Sequence, residues 1–277
     1  PFQNMKIDDK SILNHIEGRS PCMKCCKSRK FFCYTCYLPI ENLQHKLPKV
    51  RLPVKIDIIK HKNEIDGKST SAHAPILAPD DVRIFLYPDI PDYSNESGTI
   101  LIFPGAKSVD VRSLFDENHK TEIRCELVHD KGYNMGSLLK IRLHGVDSEQ
   151  SNGVNGSGDA TYNLTNLPVK RAVFIDSTWN QSRGIYKDEK INSIKTVVLQ
   201  NRLSQFWRHQ RGSPRWYLAT IEAIHQFLLE LHVNAFGLNK NYRGLDNLEL
   251  CEEFFRQAKL VDSQDDQITA PYNGQYD

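Results

Sequence analysis

Four of the chain's seven cysteines stand as two C-x-x-C hooks, Cys22–Cys25 and Cys33–Cys36, separated by seven residues. Each hook can aim two thiolates at one ion, and so short a connection lets both pairs close on the same tetrahedral site. Soft sulfur ligands in that geometry select zinc over hard cations. Residues 20–40 are therefore expected to fold as a small zinc knuckle held by Cys22, Cys25, Cys33 and Cys36. Cys26 is a spare that can replace Cys25 in a shifted register. A disulfide framework would spread its cysteines through a small secreted domain, whereas here only Cys125 and Cys251 lie outside the cluster. A closed four-thiolate site is structural, so chemistry is expected elsewhere.

The rest of the chain carries short apolar runs separated by helical patterns. Residues 54–59, 82–87, 99–103, 171–176 and 195–199 read as strands. Residues 61–79, which carry Gly, Ser, Thr and Pro, read as a functional loop. Residues 179–187 read as a helix capped by Ser177 or Thr178. In residues 217–233, Ile221, Ile224, Leu228 and Leu231 recur at helical spacing, and Gly237 follows as a stop. Residues 247–259 read as a second amphipathic helix. This order predicts an α/β fold with a mainly parallel sheet flanked by helices. The expected division is a tail over 1–19, the knuckle over 20–40, a basic, proline-flanked linker over 42–53 and a catalytic domain over 54–261. A flexible insertion rich in Ser, Asn and Gly at 148–163 and an acidic tail at 262–277 complete it. No apolar run is long enough to span a bilayer. Residues 1–19 lack the pattern of a secretory signal, so an intracellular setting is expected.

Net charge is only +2, but it is segregated. Residues 19–40 and 200–221 carry bases without a single acid, while acids collect from Asp246 to Asp266. The second basic run interleaves Arg202, Arg208, Arg211 and Arg215 with Phe206, Trp207 and Trp216. Guanidinium groups for phosphate and aromatic faces for bases make this a candidate RNA-binding segment.

Parallel sheets bind ligands beyond the C-terminal ends of their strands. Several polar motifs fall there. Asp176-Ser177-Thr178-Trp179 ends the fourth strand and resembles the D-x-T-W signature of the DTW-domain family. His61 and Glu64, followed by Ser69 and Thr70, resemble that family's H-x-x-E…S-T segment. Ile102-Phe103-Pro104-Gly105 resembles its F-P-G loop. Tyr217-Leu218-Ala219-Thr220-Ile221-Glu222-Ala223 resembles its L-S-T-x-E-A segment, with alanine where serine is common. The matches run in family order from Cys22 to about Ala223.

The resemblance implies a SPOUT-like core and transfer of the 3-amino-3-carboxypropyl group of S-adenosylmethionine to N3 of a uridine in the tRNA D-loop. It implies a nuclear location and leaves monomer and dimer open. Under it, Asp176 is the candidate base at the uridine side, Thr178 a donor to a uracil carbonyl and Trp179 a stacking surface. A carboxylate set against the sulfonium would stabilise a charge that vanishes in the transition state, which argues against placing Asp176 there. Pro104, Gly105, Leu218, Thr220 and Glu222 are candidates for the cofactor. His61, Glu64, Ser69 and Thr70 are candidates for its amino acid end or the RNA. Two other readings stay open at this point: an S-adenosylmethionine-dependent RNA methyltransferase, and a zinc-knuckle RNA-binding protein without activity.

Overall fold

The computed structural model describes residues 6–67, 69–115, 167–200, 202–204, 206, 217–237 and 244–251. The cysteine hooks build two tiny antiparallel pairs. β1 (Ser20–Pro21) lies against β2 (Ser28–Arg29), and β3 (Phe32–Cys33) against β4 (Leu38–Pro39). Both hooks close alike: the Cys26 N–H donates to the Cys22 carbonyl at 2.9 Å and the Tyr37 N–H to the Cys33 carbonyl at 2.7 Å. Cys26 and Tyr37 take φ of 58° and 57° to do so. Left-handed backbone costs a non-glycine residue about 1–2 kcal/mol, so hook closure outweighs local preference. Cys26 is thereby an exposed turn residue outside the thiol cluster, and the register in which it replaces Cys25 is not the one formed.

Six parallel strands form the main sheet. They are β5 (Lys55–Lys60), β6 (Val82–Leu86), β7 (Thr99–Ile102), β8 (Val109–Asp110), β9 (Arg171–Asp176) and β10 (Lys195–Val198). Their order across the sheet is β6-β5-β9-β7-β10-β8. The expected parallel α/β architecture is the one observed. β5 and β9 are central and covered on both faces, which is why they read as nearly continuous apolar runs. Ile56, Ile58, Ala172 and Phe174 enter the larger core cluster with Ile221, Ile224, Phe227 and Leu228 of α3 (Thr220–Phe236) and with α1 (His73–Leu77). Ile59, Leu101 and Val173 enter a second cluster with Ile185 of α2 (Trp179–Tyr186), Ile191 and Ile194.

The helix ends follow from local chemistry. Thr178 caps α2, its N–H donating to Gln181 Oε1 at 3.1 Å. The carboxylate of Glu222 accepts from the Ala219 N–H at 2.8 Å, so Ala219, having no hydroxyl, supplies only half of a capping box to α3. Gly237, at φ 77°, ends α3 with its N–H on the Val233 carbonyl.

Two expectations change. The segment 42–53 is packed rather than a linker: Leu43, Leu47, Val50 and Leu52 are buried in the main cluster. Pro48 and Pro53 flank Val50 and Leu52, which enter the core together with Leu43 and Leu47 before them. α1 sits inside what read as a loop, because five residues are too few for helical periodicity to show. β8 has two residues and left no pattern at all. The predicted helix over 247–259 begins with a 3-10 turn, Asp246–Glu249, and is helical at Leu250 and Cys251, while residues 252–259 lie outside the described residues. The tail's described part is tied to that turn, the Lys6 N–H donating to Asp246 Oδ2 at 2.8 Å and the Asp8 N–H to Asn247 Oδ1 at 2.7 Å. The insertion at 148–163 and the acidic tail at 262–277 lie outside the described residues. Among the described residues, no helix is long and apolar enough to cross a membrane.

A charge lies within the sheet's central strand. Asp57 is fully buried on β5 and accepts from Arg83 Nε at 3.1 Å, Arg171 Nη1 at 2.9 Å and the Tyr93 hydroxyl at 3.0 Å. Asp57→Ala takes from Arg171 its buried partner, leaving it the half-exposed Glu96, and strands the buried Tyr93 hydroxyl. Breaking such a buried pair costs about 3–5 kcal/mol. A fall in the thermal midpoint of roughly 10 °C is expected by calorimetry.

Candidate active site

Because all six strands run the same way, their C-terminal ends share one edge of the sheet. His61 follows β5, Phe103-Pro104-Gly105 follows β7, Asp176 ends β9, and the segment from Leu199 follows β10. The motifs picked out of the sequence therefore collect along a single rim.

Asp176 is at the centre of this arrangement. It is buried on the α3 face, and its two oxygens have different partners. Oδ2 accepts from Ser69 Oγ and Oδ1 from Thr220 Oγ1, both at 2.7 Å. The Asp176 carbonyl accepts from the His61 N–H at 3.0 Å. Thr70, also buried, accepts from the Ile221 N–H at 3.2 Å and so ties the same loop to the start of α3. The Ser69 hydroxyl is itself held by Ser71, whose N–H donates to it at 3.0 Å. Three segments widely spaced in sequence thus meet at one carboxylate, which does not cap α2. Four acceptor sites on a carboxylate and two hydroxyl donors leave lone pairs free for a ligand.

The order, spacing and convergence of these segments agree with a family match: a DTW domain matches residues 30–259. The chain belongs to the DTW-domain family. It is 40% identical over 256 residues to tRNA-uridine aminocarboxypropyltransferase 1 of Mus musculus, covering 90% of this chain and 80% of that protein. The same-named proteins of Homo sapiens and Xenopus tropicalis are 39% identical over 262 residues and 37% identical over 261. Those alignments cover 93% and 88% of this chain and 83% and 80% of the relatives. No solved structure matches the chain significantly.

Around the DTW carboxylate the other predicted residues take distinct places. Gly105 sits in a tight turn: its N–H donates to Ser108 Oγ at 2.7 Å, and an added Cβ would lie 3.2 Å from that oxygen and 3.5 Å from the Tyr186 hydroxyl. Pro104 beside it is exposed. Phe103 stacks on Tyr186 with ring centroids 4.6 Å apart, fixing this loop to α2 on the opposite face from Asp176. Thr178 is exposed at the start of α2. Trp179 is the first residue of that helix, and its side chain lies outside the described residues. Leu218 is half-buried just before α3. The Glu64 N–H donates to the His61 carbonyl at 2.9 Å, closing the turn that carries both residues.

Glu222 is almost fully buried, one turn into α3. Besides the Ala219 N–H it accepts from Ser204 Oγ at 2.7 Å and lies 3.8 Å from Arg202 Nη2. Arg202 also donates to Gln226 Oε1 at 3.3 Å, so it faces α3. Arg208, Arg211 and Arg215 lie outside the described residues. Glu230, two turns on, accepts from the Gln200 N–H at 2.9 Å and Gln226 Nε2 at 2.7 Å. Burial pushes its carboxyl up to about 7, with Asp110 adding to the effect and the two donors and Arg202 opposing it. The folded state therefore holds a proton that the unfolded chain releases between its ordinary pH of about 4.5 and 7. Stability contributed by that proton is full below 4.5 and is lost as pH rises towards 7, a span worth roughly 3 kcal/mol. Glu230→Gln keeps an acceptor for both donors. Its thermal midpoint is expected to fall less than wild type's between pH 5 and 7.5.

The cysteine module leans on this site. The four Sγ atoms lie within 4.8 Å of one another, with Cys25 and Cys33 3.6 Å apart. A tetrahedral zinc with bonds of about 2.3 Å places its sulfurs about 3.8 Å apart, so the donor set fits zinc. The Lys24 N–H donates to Cys22 Sγ and the Cys36 N–H to Cys33 Sγ, both at 3.4 Å. Burial alone would push the Cys33 thiol up, but the Arg29 guanidinium and the Thr35 and Cys36 N–H groups bring it down to about 6. Burial and its neighbours push Cys36 up to about 12, since a further thiolate is disfavoured until a cation neutralises the set.

Sequence reasoning missed what joins the module to the rim. Arg29 donates to the Tyr34 hydroxyl at 2.9 Å and Thr35 Oγ1 at 3.2 Å, and Thr35 donates to Asp66 Oδ2 at 3.4 Å. Gly67 lies against the Tyr34 ring, and Phe32 meets His73 edge-on at 5.5 Å. Asp66 in turn is paired with Lys60, the last residue of β5. The available signal was an ionisable residue closing the apolar run Ile58-Ile59-Lys60.

Proposed function

We propose that this protein is a tRNA-uridine aminocarboxypropyltransferase that forms 3-(3-amino-3-carboxypropyl)uridine, with Asp176 acting on the uracil. The observation that carries this reading is the convergence of the family's separate motifs on the one carboxylate of the D-x-T-W segment. The names of the relatives support the reaction. S-adenosylmethionine would supply the aminocarboxypropyl arm at a sulfonium-bound carbon, departing as a neutral thioether.

Uracil N3 is protonated and weakly nucleophilic at neutral pH, so a positioned base is needed as the new bond forms. Ser69 and Thr220 fix the plane of the Asp176 carboxylate and leave it lone pairs for N3–H. The proton passes to Asp176 as N3 gains its carbon. Burial of Asp176 keeps water from competing for its oxygens. Thr178, exposed at the same rim, is assigned as a donor to a uracil carbonyl, and Trp179 as a stacking surface for the base. Pro104, Gly105, Leu218 and Thr220 are assigned to the cofactor side. Glu222 serves by holding the segment 202–204, which leads into the arginines Arg208, Arg211 and Arg215 assigned to phosphate. A D-loop uridine as target, zinc in the cysteine module and a nuclear setting belong to the same reading, the thiolate cluster suiting a reducing compartment.

The test is to incubate the purified protein with unmodified tRNA and S-adenosylmethionine and to identify the nucleosides by mass spectrometry. Aminocarboxypropyluridine is the expected product. A methylated nucleoside would overturn the transfer chemistry, and no product from folded, tRNA-binding protein would leave a binding module.

A further inference from the structure

The rim contains a buried cation that the chemistry above does not use. Lys60 ends β5, and its side chain is only 4% exposed. In the parallel register it stands opposite Asp176. The pleat sends Ile56, Ile58 and Lys60 to the same face as Ala172, Phe174 and Asp176, the face that α3 covers. An ammonium carries three donors. Among the described residues Lys60 meets one acceptor, Asp66 Oδ1, and a buried ammonium with donors unused is costly until further acceptors arrive. Asp66 differs from it: its side chain is 41% exposed. The pair therefore has an inner cation and an open outer anion. Asp66 pairs with Lys60, and Lys60 stands opposite Asp176 on the neighbouring strand, so the pair lies at the same rim as the carboxylate of the site.

We propose that Lys60 and Asp66 together form the receptor for a zwitterionic α-amino acid group, Lys60 taking its carboxylate and Asp66 its ammonium. This rests on the reading above, in which the group is the amino acid end of the donor's arm. Two opposite charges side by side match a zwitterion lying head to tail against them and repel one lying the other way. The placement suits the reaction as well. The arm itself is what is transferred, so its far end must be held while one bond at its near end breaks and another forms. A grip at Lys60 leaves the near end directed along the rim towards Asp176, which stands on the adjacent strand.

The test is binding by calorimetry, without turnover. The probes are S-adenosylmethionine, its decarboxylated analogue, which keeps the ammonium but lacks the carboxylate, and methylthioadenosine, which lacks both. Wild type is expected to bind S-adenosylmethionine at least tenfold more tightly than the decarboxylated analogue. Lys60→Met is expected to erase that preference and leave methylthioadenosine unchanged. Asp66→Asn, which keeps an acceptor for Lys60, is expected to weaken both ammonium-bearing probes alike, again sparing methylthioadenosine. It also keeps the test alive if Lys60→Met does not fold. Equal losses for both charged probes in Lys60→Met, or no loss in either variant, would overturn the receptor while leaving the proposed reaction standing. If wild type binds none of the three probes, the reading of the donor fails, and the receptor with it.

Discussion

Asp176→Ala is expected to lower the rate of aminocarboxypropyl transfer by roughly 10²–10⁴-fold, the range a positioned general base supplies. The affinities for tRNA and for the donor should hold to within a few-fold. The separation follows from the geometry. Asp176 is held by Ser69 and Thr220 at the strand end and is not the cap of α2, so its loss removes no helix N-terminal contact. What it does release are two hydroxyl groups, each small enough to find water. The loss should accordingly appear in kcat, with KM for tRNA little changed, as expected for an interaction made only in the transition state. Asp176→Asn separates a base from a group that only orients N3. The amide retains one acceptor for one hydroxyl and presents a donor to the other. Activity within tenfold of wild type would mean orientation without proton transfer. A loss equal to that of alanine would identify the base. Ser69→Ala and Thr220→Val should each cost far less, because one partner still fixes the carboxylate when the other is gone. Single-turnover rates on tRNA, read by nucleoside mass spectrometry, give all four numbers.

What the sequence could reveal of this arrangement depended on what each feature needs. The strands β5, β7, β9 and β10 were legible as short runs of β-branched and apolar residues, continuous where both faces are covered, and all four begin within a residue of the expected start. α3 was legible because its seventeen residues hold several turns of the apolar spacing. The four thiol ligands were legible because two hooks leave few other pairings. Asp176 was visible as an acid at a strand end. Its partners were visible only as members of motifs, since no spacing rule says that Ser69 and Thr220 reach opposite oxygens of one carboxylate. Lys60 and Asp66 were missed for a related reason. A single lysine closing a strand reads as solvent-facing, and its burial depends on β9 supplying a neighbour more than a hundred residues away. The packed segment 42–53 was misread because its prolines and basic residues interrupt any periodic pattern, while four apolar residues decide where it goes. The exposed turn at Cys26 was equally hidden, because a fifth cysteine looks like a ligand until the backbone of the hook is drawn.

Removing zinc is expected to be the most damaging change short of unfolding the sheet, and its effect should reach the active site. The module's strands are two residues each, and its buried apolar residues within 20–40 are few. Such a segment cannot offset the entropy of ordering its backbone by burial alone. On the proposed reading zinc binding supplies the difference, about 10–16 kcal/mol in comparable four-ligand zinc peptides. The damage should spread because the module holds the loop that holds Asp176. Tyr34 lies on Gly67, Thr35 bonds Asp66, Asp66 pairs with Lys60, and Ser69 follows within three residues. The sheet, with its own core of Ile56, Ile58, Ala172 and Phe174, should stay folded. Chelation, or Cys33→Ser, is therefore expected to abolish transfer and to raise amide exchange in residues 20–40 and 61–71, with β5 and β9 still protected. Metal analysis of the intact protein should find one zinc per chain. If the metal can be stripped while the 61–71 amides stay protected and transfer continues, the module is a detachable RNA-binding appendage and the route from Arg29 through Asp66 carries nothing. If the loop opens and kcat falls while tRNA affinity is preserved, the zinc module is part of the wall that keeps Asp176 in place.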